Sequence, residues 1–248
     1  MSKIILKDIS TRAPEKLSKQ ETKQQTADIL TELDALQNLL YAQSKYSVLV
    51  VIQGMDASGK DGAIRNVFGH MNPQGVSVQS FKAPTAEELA HDFLWRIHKT
   101  VPPKGMIQIF NRSHYEDVLV TRVHRWIDDE TARKRMDAIN DFEKLLLEHN
   151  DTHILKFYLH VSAEEQRERL NERINDPTKQ WKYNEKDFVE AGHLELYWKM
   201  YEDCFEHCNK VPWTIVPSDQ NWYKEYVIAT ALKNLLKSFD MHYPGLKK

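Results

Sequence analysis

The sequence has few cysteines, no long apolar segment and no excess of one charge. Its 248 residues include two cysteines, and 34 basic residues are balanced by 36 acidic ones, which gives a formal net charge of -2. This balance provides no overall field that would draw the chain to nucleic acid or to a membrane, and we expect neither as a partner. An anionic substrate must therefore be bound by a local cluster of positive groups.

The sequence also lacks an apolar run long enough for a membrane span or a secretory signal. The opening stretch, MSKIILKDIS, has a three-residue apolar run before a charge returns, which is too short for a secretory h-region. We therefore expect a cytoplasmic protein. Cys204 and Cys208 lie one helical turn apart, where their side chains are poorly placed for a disulfide. Together with His207 they could present three metal ligands, but structural zinc takes four, so we expect these residues to pack within the protein instead.

No internal repeat, low-complexity block or glycine- and proline-rich linker divides the chain. We predict a single domain over residues 1–248, in which an amphipathic helical extension over about 14–43 comes first. Five apolar, β-branched runs predict strands at 46–53, 76–81, 106–110, 153–161 and 213–217. Helices are predicted between and after them at 60–71, 86–100, 114–123, 130–150, 163–175, 185–209 and 222–239. This alternation predicts an α/β fold with a five-stranded parallel sheet covered on both faces.

A glycine-rich loop follows the first predicted strand and opens the next predicted helix. Its sequence, GMDASGKDG (54–62), has the GxxxxGK spacing of phosphate-binding loops in the strand–loop–helix order that such loops require. The glycines allow the backbone to close around a phosphate, and the loop amides and Lys60 supply positive charge. The predicted phosphate-binding residues of the loop are Gly54, Ala57, Ser58, Gly59, Lys60, Asp61 and Gly62.

Two acids in this loop raise the question of a metal. Asp61 stands where other phosphate loops carry a Mg²⁺-binding hydroxyl residue, and it has the character of a first-turn acid favoured by the helix dipole. Asp56 precedes Lys60 by four residues. Its carboxylate would repel a bound phosphate unless a cation lay between them. We therefore predict Asp56 as a ligand of Mg²⁺, with Mn²⁺ as the alternative ion.

The end of the third predicted strand should supply the opposite side of the site, because ligands of parallel sheets bind beyond the carboxyl ends of the strands. There Asn111 stands where an aspartate is usual, and Arg112 follows with a planar fork suited to phosphate oxygens. Asp117 is predicted as a second Mg²⁺ ligand or as the base that orients the attacking oxygen. Alternatively, Asn111 caps the next helix, and Glu116 with Asp117 is a solvated acidic pair. The predicted nucleotide-binding residues are Asn111, His114, Glu116 and Asp117.

Four blocks follow one another along the chain: GMDASGKDG, FNRSHYEDVLVTRV, RLNERINDPTKQWKYNEKDF and VPWTIVPSDQNWYKEYVIATAL. In sequence and spacing they resemble the polyphosphate kinase 2 family, and SHYEDVLV resembles its class III branch, which phosphorylates nucleoside mono- and diphosphates. The resemblance implies a three-layer, thymidylate-kinase-like P-loop kinase fold. It also implies Mg²⁺-dependent, reversible phosphoryl transfer from inorganic polyphosphate to AMP and ADP, and to GMP and GDP as further acceptors. An ATP-dependent nucleoside or nucleoside monophosphate kinase of the same fold is the alternative.

The resemblance also implies a helical lid over about 163–188. Arg169 and Arg173 are one turn apart there, and Lys179 follows the Asp176-Pro177 break; a solvated basic face is the alternative interpretation. Polyphosphate requires a positively lined path, to which we assign Arg169, Lys179, Lys82 and Arg122. The predicted catalytic residues are Asp56, Lys60, Arg112, Asp117 and Arg173. We further expect a homo-oligomer, dimer or tetramer, for which the long first helix could serve as an interface.

Overall fold

The computed structural model describes residues 4–246, so the two ends of the predicted domain 1–248 lie outside the described residues. At its centre is a five-stranded sheet with the strand order β2-β3-β1-β4-β5, in which every pair of neighbours is parallel. The strands are β1 (Ser47–Gln53), β2 (Val76–Ser80), β3 (Ile107–Asn111), β4 (Thr152–His160) and β5 (Trp213–Pro217). The predicted fold class and strands are confirmed.

Helices cover both faces of this sheet. Ser18 caps α1 through a hydrogen bond from the backbone N–H of Glu21, so α1 begins at Lys19 and not near residue 14 as predicted. The helices are α1 (Lys19–Gln43), α2 (Lys60–Phe68), α3 (Ala86–Leu89), α4 (Trp95–His98), α5 (Val120–Val123), α6 (Asp129–Asn150), α7 (Ala163–Asn175), α8 (Glu185–Ala191), α9 (Leu194–His207) and α10 (Asn221–Ser238).

Three predicted helices are interrupted. The segment 86–100 is divided into α3 and α4, because the Asp92 side chain accepts a hydrogen bond from the Leu94 backbone and starts a new turn. The segment 185–209 is divided into α8 and α9 at Gly192, a weak helix former. The segment 114–123 consists of a 3₁₀ turn (His114–Asp117) followed by α5.

The core lies on both faces of β1, whose seven residues are all buried. Alternate side chains of a strand point to opposite faces. One face of β1 packs against apolar stripes of α1 and α10. The opposite face packs against α9, where Tyr197, Tyr201 and Phe205 are buried. Cys204 and Cys208 are buried free thiols in the same cluster, so the helix-packing interpretation of these cysteines is correct.

A buried ionic cluster supports the segment that follows β3. Lys156 of β4 donates hydrogen bonds to Glu143 of α6 and to the Tyr115 hydroxyl, each at 2.8 Å. The Tyr115 hydroxyl in turn donates to Glu143 at 2.7 Å. All three side chains are fully buried, so each charge depends on its partners for solvation. Across residues 4–246, none of the helices combines the length and the apolar character that crossing a bilayer would need.

We predict that Glu143→Gln lowers the free energy of unfolding by about 3 kcal/mol, because it leaves the Lys156 ammonium buried without a counter-charge. Lys134→Ala removes an exposed pair with Glu130 and should change that free energy by less than about 1 kcal/mol. Urea unfolding followed by circular dichroism measures both. Equal effects of the two substitutions would show that the buried cluster does not stabilise the fold as described.

Candidate phosphate-binding site

The loop between β1 and α2, residues 54–59, lies at the carboxyl edge of the sheet, between the ends of β3 and β4. Gly54 has φ +153, and a Cβ there would lie 2.7 Å from Ser58 Oγ and 3.0 Å from the carbonyl oxygen of Leu159 on β4. Only glycine allows this close approach. Ser58 itself is fully buried, and among the described residues its hydroxyl has no hydrogen-bond partner.

Lys60 closes the loop onto itself. Its ammonium donates hydrogen bonds to the carbonyl oxygens of Gly54 at 2.7 Å and Met55 at 3.0 Å. The residue is 8% exposed. Burial, reinforced by the nearby Arg112 charge, lowers the pKa of Lys60 to about 8, although Asp56 opposes the shift. The loop therefore holds a poorly solvated cation that a bound anion would stabilise.

Arg112 links the end of β3 to this loop. It adopts a left-handed conformation with φ +62, which is uncommon for a residue with a side chain and is typical of strained functional turns. Its guanidinium pairs with the Asp56 carboxylate on one side and with Glu116 at 3.4 Å on the other. Burial alone would raise the pKa of Asp56, but the charges of Lys60 and Arg112 outweigh it and hold that pKa below its usual value. Asp56 is therefore ionised at neutral pH.

Asp61 connects three parts of the site. It lies in the first turn of α2, where its carboxylate accepts hydrogen bonds from Asn111 at 2.9 Å and from Lys182 of the predicted lid at 2.8 Å. The amide of Asn111 is thus directed to the loop. Ser113, and not Asn111, caps the 3₁₀ turn that follows β3, so the predicted capping alternative for Asn111 is wrong.

The Asp117 carboxylate lies beside arginines of two helices. Its carboxylate lies 3.6 Å from Arg96 of α4 and 4.0 Å from Arg135 of α6. Arg135 also donates a hydrogen bond to the Asp117 backbone carbonyl at 2.8 Å. Burial raises the pKa of Asp117 despite these arginines. These contacts connect Asp117 to α4 and α6, and its predicted role as a second Mg²⁺ ligand or as a base stays a prediction.

Two other predicted residues are also occupied elsewhere. His114 is fully buried and lies 3.5 Å from Glu143, so it presents no surface to a nucleotide. Arg122 pairs with Asp129 and Asp203, each at 2.8 Å, so two carboxylates balance its charge. Lys82 follows β2 and is exposed.

The predicted lid consists of α7, a 3₁₀ turn (Gln180–Lys182) and α8. Arg169 donates hydrogen bonds to the backbone carbonyls of Ala57 at 3.1 Å and Ser218 at 2.7 Å, so its guanidinium ties the lid base to the loop. Arg173 pairs with Asp187 of α8, and its charge helps to lower the pKa of Asp56. Lys179 pairs with Glu172 on the outer part of the same segment. Arg173 is therefore the lid arginine whose charge acts on the loop aspartate.

Comparison with known proteins decides between the families that share such a loop. Residues 16–244 match the sequence profile of Polyphosphate kinase 2 (PPK2). The chain belongs to this family. It is 44% identical over 228 residues to the AMP/ADP-polyphosphate phosphotransferase of Meiothermus ruber, a match that covers 91% of this chain and 85% of that protein. It is 41% identical to the ADP-polyphosphate phosphotransferase of Rhodopseudomonas palustris, covering 86% and 78% of the two chains.

The fold agrees with a solved member of the polyphosphate kinase 2 family. The crystal structure of Polyphosphate Kinase 2 from Arthrobacter aurescens TC1 superposes with a TM-score of 0.96 at 38% identity, covering all of this chain and 90% of that one. The family resemblance predicted from the four sequence blocks is therefore confirmed.

Two residues of this polyphosphate kinase 2 chain contact the loop without having been predicted. Gln166 of α7 donates a hydrogen bond to the Asp56 carbonyl at 3.0 Å, and Lys224 of α10 donates one to the Gly59 carbonyl at 3.1 Å. A signal for Lys224 was present in the sequence, because it stands at four-residue spacing in line with the buried positions 228, 232 and 236 of its helix. A charge within a buried stripe indicates a specific partner.

We predict that the affinity for inorganic tripolyphosphate falls as the pH rises above about 8, the pKa of Lys60. The anion favours the charged ammonium and raises this pKa in the complex, so binding is strongest below pH 8 and weakens as the free lysine loses its proton. One such group changes the affinity by about tenfold per pH unit at most. The measurement is calorimetry on the wild type and on Lys60→Met in the same buffers. The ligand's own titration contributes equally to both pH profiles, so it cancels in their difference. Parallel pH profiles for the two proteins would contradict the assignment.

Proposed function

We propose that this chain transfers the terminal phosphoryl group of inorganic polyphosphate to AMP and ADP, reversibly, with GMP and GDP as further acceptors. The observation that carries the proposal is the arrangement of Lys60, Asp56 and Arg112, in which two cations and one ionised carboxylate converge on a phosphate loop. The substrates are inferred from the relative of Meiothermus ruber, which is named for this activity and is similar to this chain over 91% of its length.

The reaction needs positioning and charge neutralisation, and no covalent enzyme intermediate. An oxygen of the last phosphate of the acceptor attacks the terminal phosphorus of polyphosphate in line. The bond from that phosphorus to the bridging oxygen breaks, and the shortened polyphosphate leaves with the electron pair. The loop amides and Lys60 would fix one phosphate group, while Arg112 and Arg173 would stabilise the charge spread over the transferred group. An arginine at such a transition state can contribute roughly 10³-fold or more in rate.

The family's chemistry calls for a divalent metal, and the donor set at the loop fits Mg²⁺ or Mn²⁺. Mg²⁺ is commonly held by one or two carboxylates together with substrate phosphates and water. Asp56 is ionised and partly exposed beside the loop, and Glu116 is the other carboxylate that contacts Arg112. We propose Asp56 as the metal-holding residue, with Glu116 in the place predicted for Asp117. When bound, the ion would neutralise phosphate charge that the loop carboxylates otherwise repel.

The cytoplasmic location, the homo-oligomeric state and the single-domain division remain predictions. The alternative function is an ATP-dependent nucleoside or nucleoside monophosphate kinase on the same fold. It differs from the proposed function in one measurable respect, which is the identity of the phosphoryl donor.

The test is to incubate the purified chain with Mg²⁺, polyphosphate and one of AMP, ADP, GMP or GDP, without ATP, and to separate the products by chromatography. We expect ADP and ATP to form from AMP. No product with polyphosphate, together with turnover when ATP is the donor, would favour the alternative kinase.

We predict that Lys60→Met lowers the rate of this reaction by at least about 10³-fold, because it removes the ammonium that neutralises phosphate charge inside the loop. The fold should be retained, since the substitution removes a desolvated charge. Activity and the thermal unfolding midpoint are measured together, with the exposed Lys134→Met as the matched control. Substantial turnover by a folded Lys60→Met protein would contradict the role of Lys60.

We also predict that Lys82→Ala weakens polyphosphate binding and reduces its salt dependence, whereas Arg122→Ala does not. Lys82 is exposed, while Arg122 is neutralised by Asp129 and Asp203. A free cation that contacts a polyanion contributes to the salt dependence of binding. Affinities at several ionic strengths test the pair. An unchanged salt dependence for Lys82→Ala would remove it from the proposed path, and a clear effect of Arg122→Ala would restore the sequence prediction.

A further inference from the structure

The carbonyl groups of the phosphate loop are bound by side chains from three different elements. Lys60 binds the Gly54 and Met55 carbonyls, Gln166 and Arg169 of α7 bind those of Asp56 and Ala57, and Lys224 of α10 binds that of Gly59. In a trans peptide unit the C=O and N–H point in opposite directions. Fixing a carbonyl outward therefore directs the next N–H toward the opposite side of the loop, where an anion would bind.

Lys224 is the most unusual of these donors. It is fully buried, and besides the Gly59 carbonyl it donates a hydrogen bond to the Asn221 side chain at 2.8 Å. Gly59 has φ +94, and a Cβ at this position would clash with the Lys224 ammonium. The loop glycine and the helix lysine are thus sterically matched, and no side chain fits between the loop and α10.

The charge on Lys224 is unfavourable for the fold itself. Burial, together with the neighbouring Arg169 charge, lowers its pKa to about 8. An apolar residue would continue the buried stripe of Ile228 and Leu232, both fully buried on the same helix face, and replacing a buried charge by a well-packed apolar residue is often neutral or stabilising. The contacts that offset the cost of this buried ammonium are those with the Asn221 side chain and the phosphate loop, and only the second reaches beyond α10.

Gln166 acts on Asp56, earlier in the same loop. Its side chain is 1% exposed, and its amide holds the peptide of Asp56, whose carboxylate pairs with Arg112. Replacing the amide by a carboxylate of the same size, as in Gln166→Glu, would place an acceptor and a negative charge against the Asp56 carbonyl. The geometry of the loop and of its metal candidate therefore both depend on this amide.

We infer that Lys224 and Gln166 are positioning residues that hold the loop peptides in the orientation needed to bind phosphate, without contacting the phosphate themselves. The inference rests on the proposed function of the loop as a phosphate site. It assigns to α10 and to the base of α7 a role in substrate binding, and it explains why a lysine occupies a buried, otherwise apolar stripe.

The test measures anion affinity and stability in the same variants. Calorimetry with Mg²⁺ and either tripolyphosphate or ATP gives the dissociation constant, and thermal unfolding gives the stability. We expect Lys224→Met to raise the dissociation constant about tenfold or more, the effect of losing a charge-assisted hydrogen bond, while the unfolding midpoint stays equal or rises. A merely structural lysine would give the opposite pattern, with a lowered midpoint and unchanged affinity.

Lys237→Met is the matched control, because it removes an exposed lysine of the same helix that pairs with Glu32; its affinity should equal that of the wild type. Gln166→Leu and Gln166→Glu provide an independent arm should Lys224→Met not fold, with the larger loss expected for Gln166→Glu. Affinities within twofold of the wild type in Lys224→Met, or in both Gln166 variants, would overturn the inference. A wild-type chain that binds neither anion would overturn the loop assignment itself, whereas wild-type binding with ATP turnover alone would refute only the proposed donor.

Discussion

The site depends on the concentration of buried positive charge around one short loop. The ammonium of Lys60 is held against the loop carbonyls, and Lys224 does the same from α10. Each pKa is lowered to about 8, first by burial and then by a neighbouring arginine. Burial destabilises the charged form of each lysine, and the neighbouring carboxylates offset this only in part. A bound phosphate chain would relieve this destabilisation, so part of the binding free energy is already built into the folded protein.

The guanidinium groups around the loop are held by carboxylates that a substrate would have to replace. Arg112 pairs with Asp56 and Glu116, and Arg173 pairs with Asp187. Partly exposed ion pairs of this kind stabilise a protein weakly, so exchanging a carboxylate partner for a phosphate oxygen changes the total free energy little. The same pairs keep the side chains ordered and close to the reacting groups, which lowers the entropic cost of assembling the site.

The parts of the site that were predicted from the sequence are those encoded in neighbouring residues. The loop, Lys60 and Asp56 follow from local spacing after a buried strand, and the pair Asn111 and Arg112 follows from the end of the third strand. The arginine partners of Asp117 could not be predicted in this way, because Arg96 and Arg135 come from other helices. In the same way, a cationic residue such as Arg122 appears available in a sequence, although an acid from another helix neutralises it in the fold.

The sequence by itself determined the order of strands and helices, the phosphate loop and the family, because these depend on periodicity and on contiguous motifs. Only the tertiary structure decided which charges remain directed to the loop. Lys224 and Gln166 lie 165 and 110 residues from the carbonyls that they bind, and Asp61 meets a lysine 121 residues away. Such pairings are set by how helices pack on the sheet, and the strength of each charge depends on the burial that this packing produces.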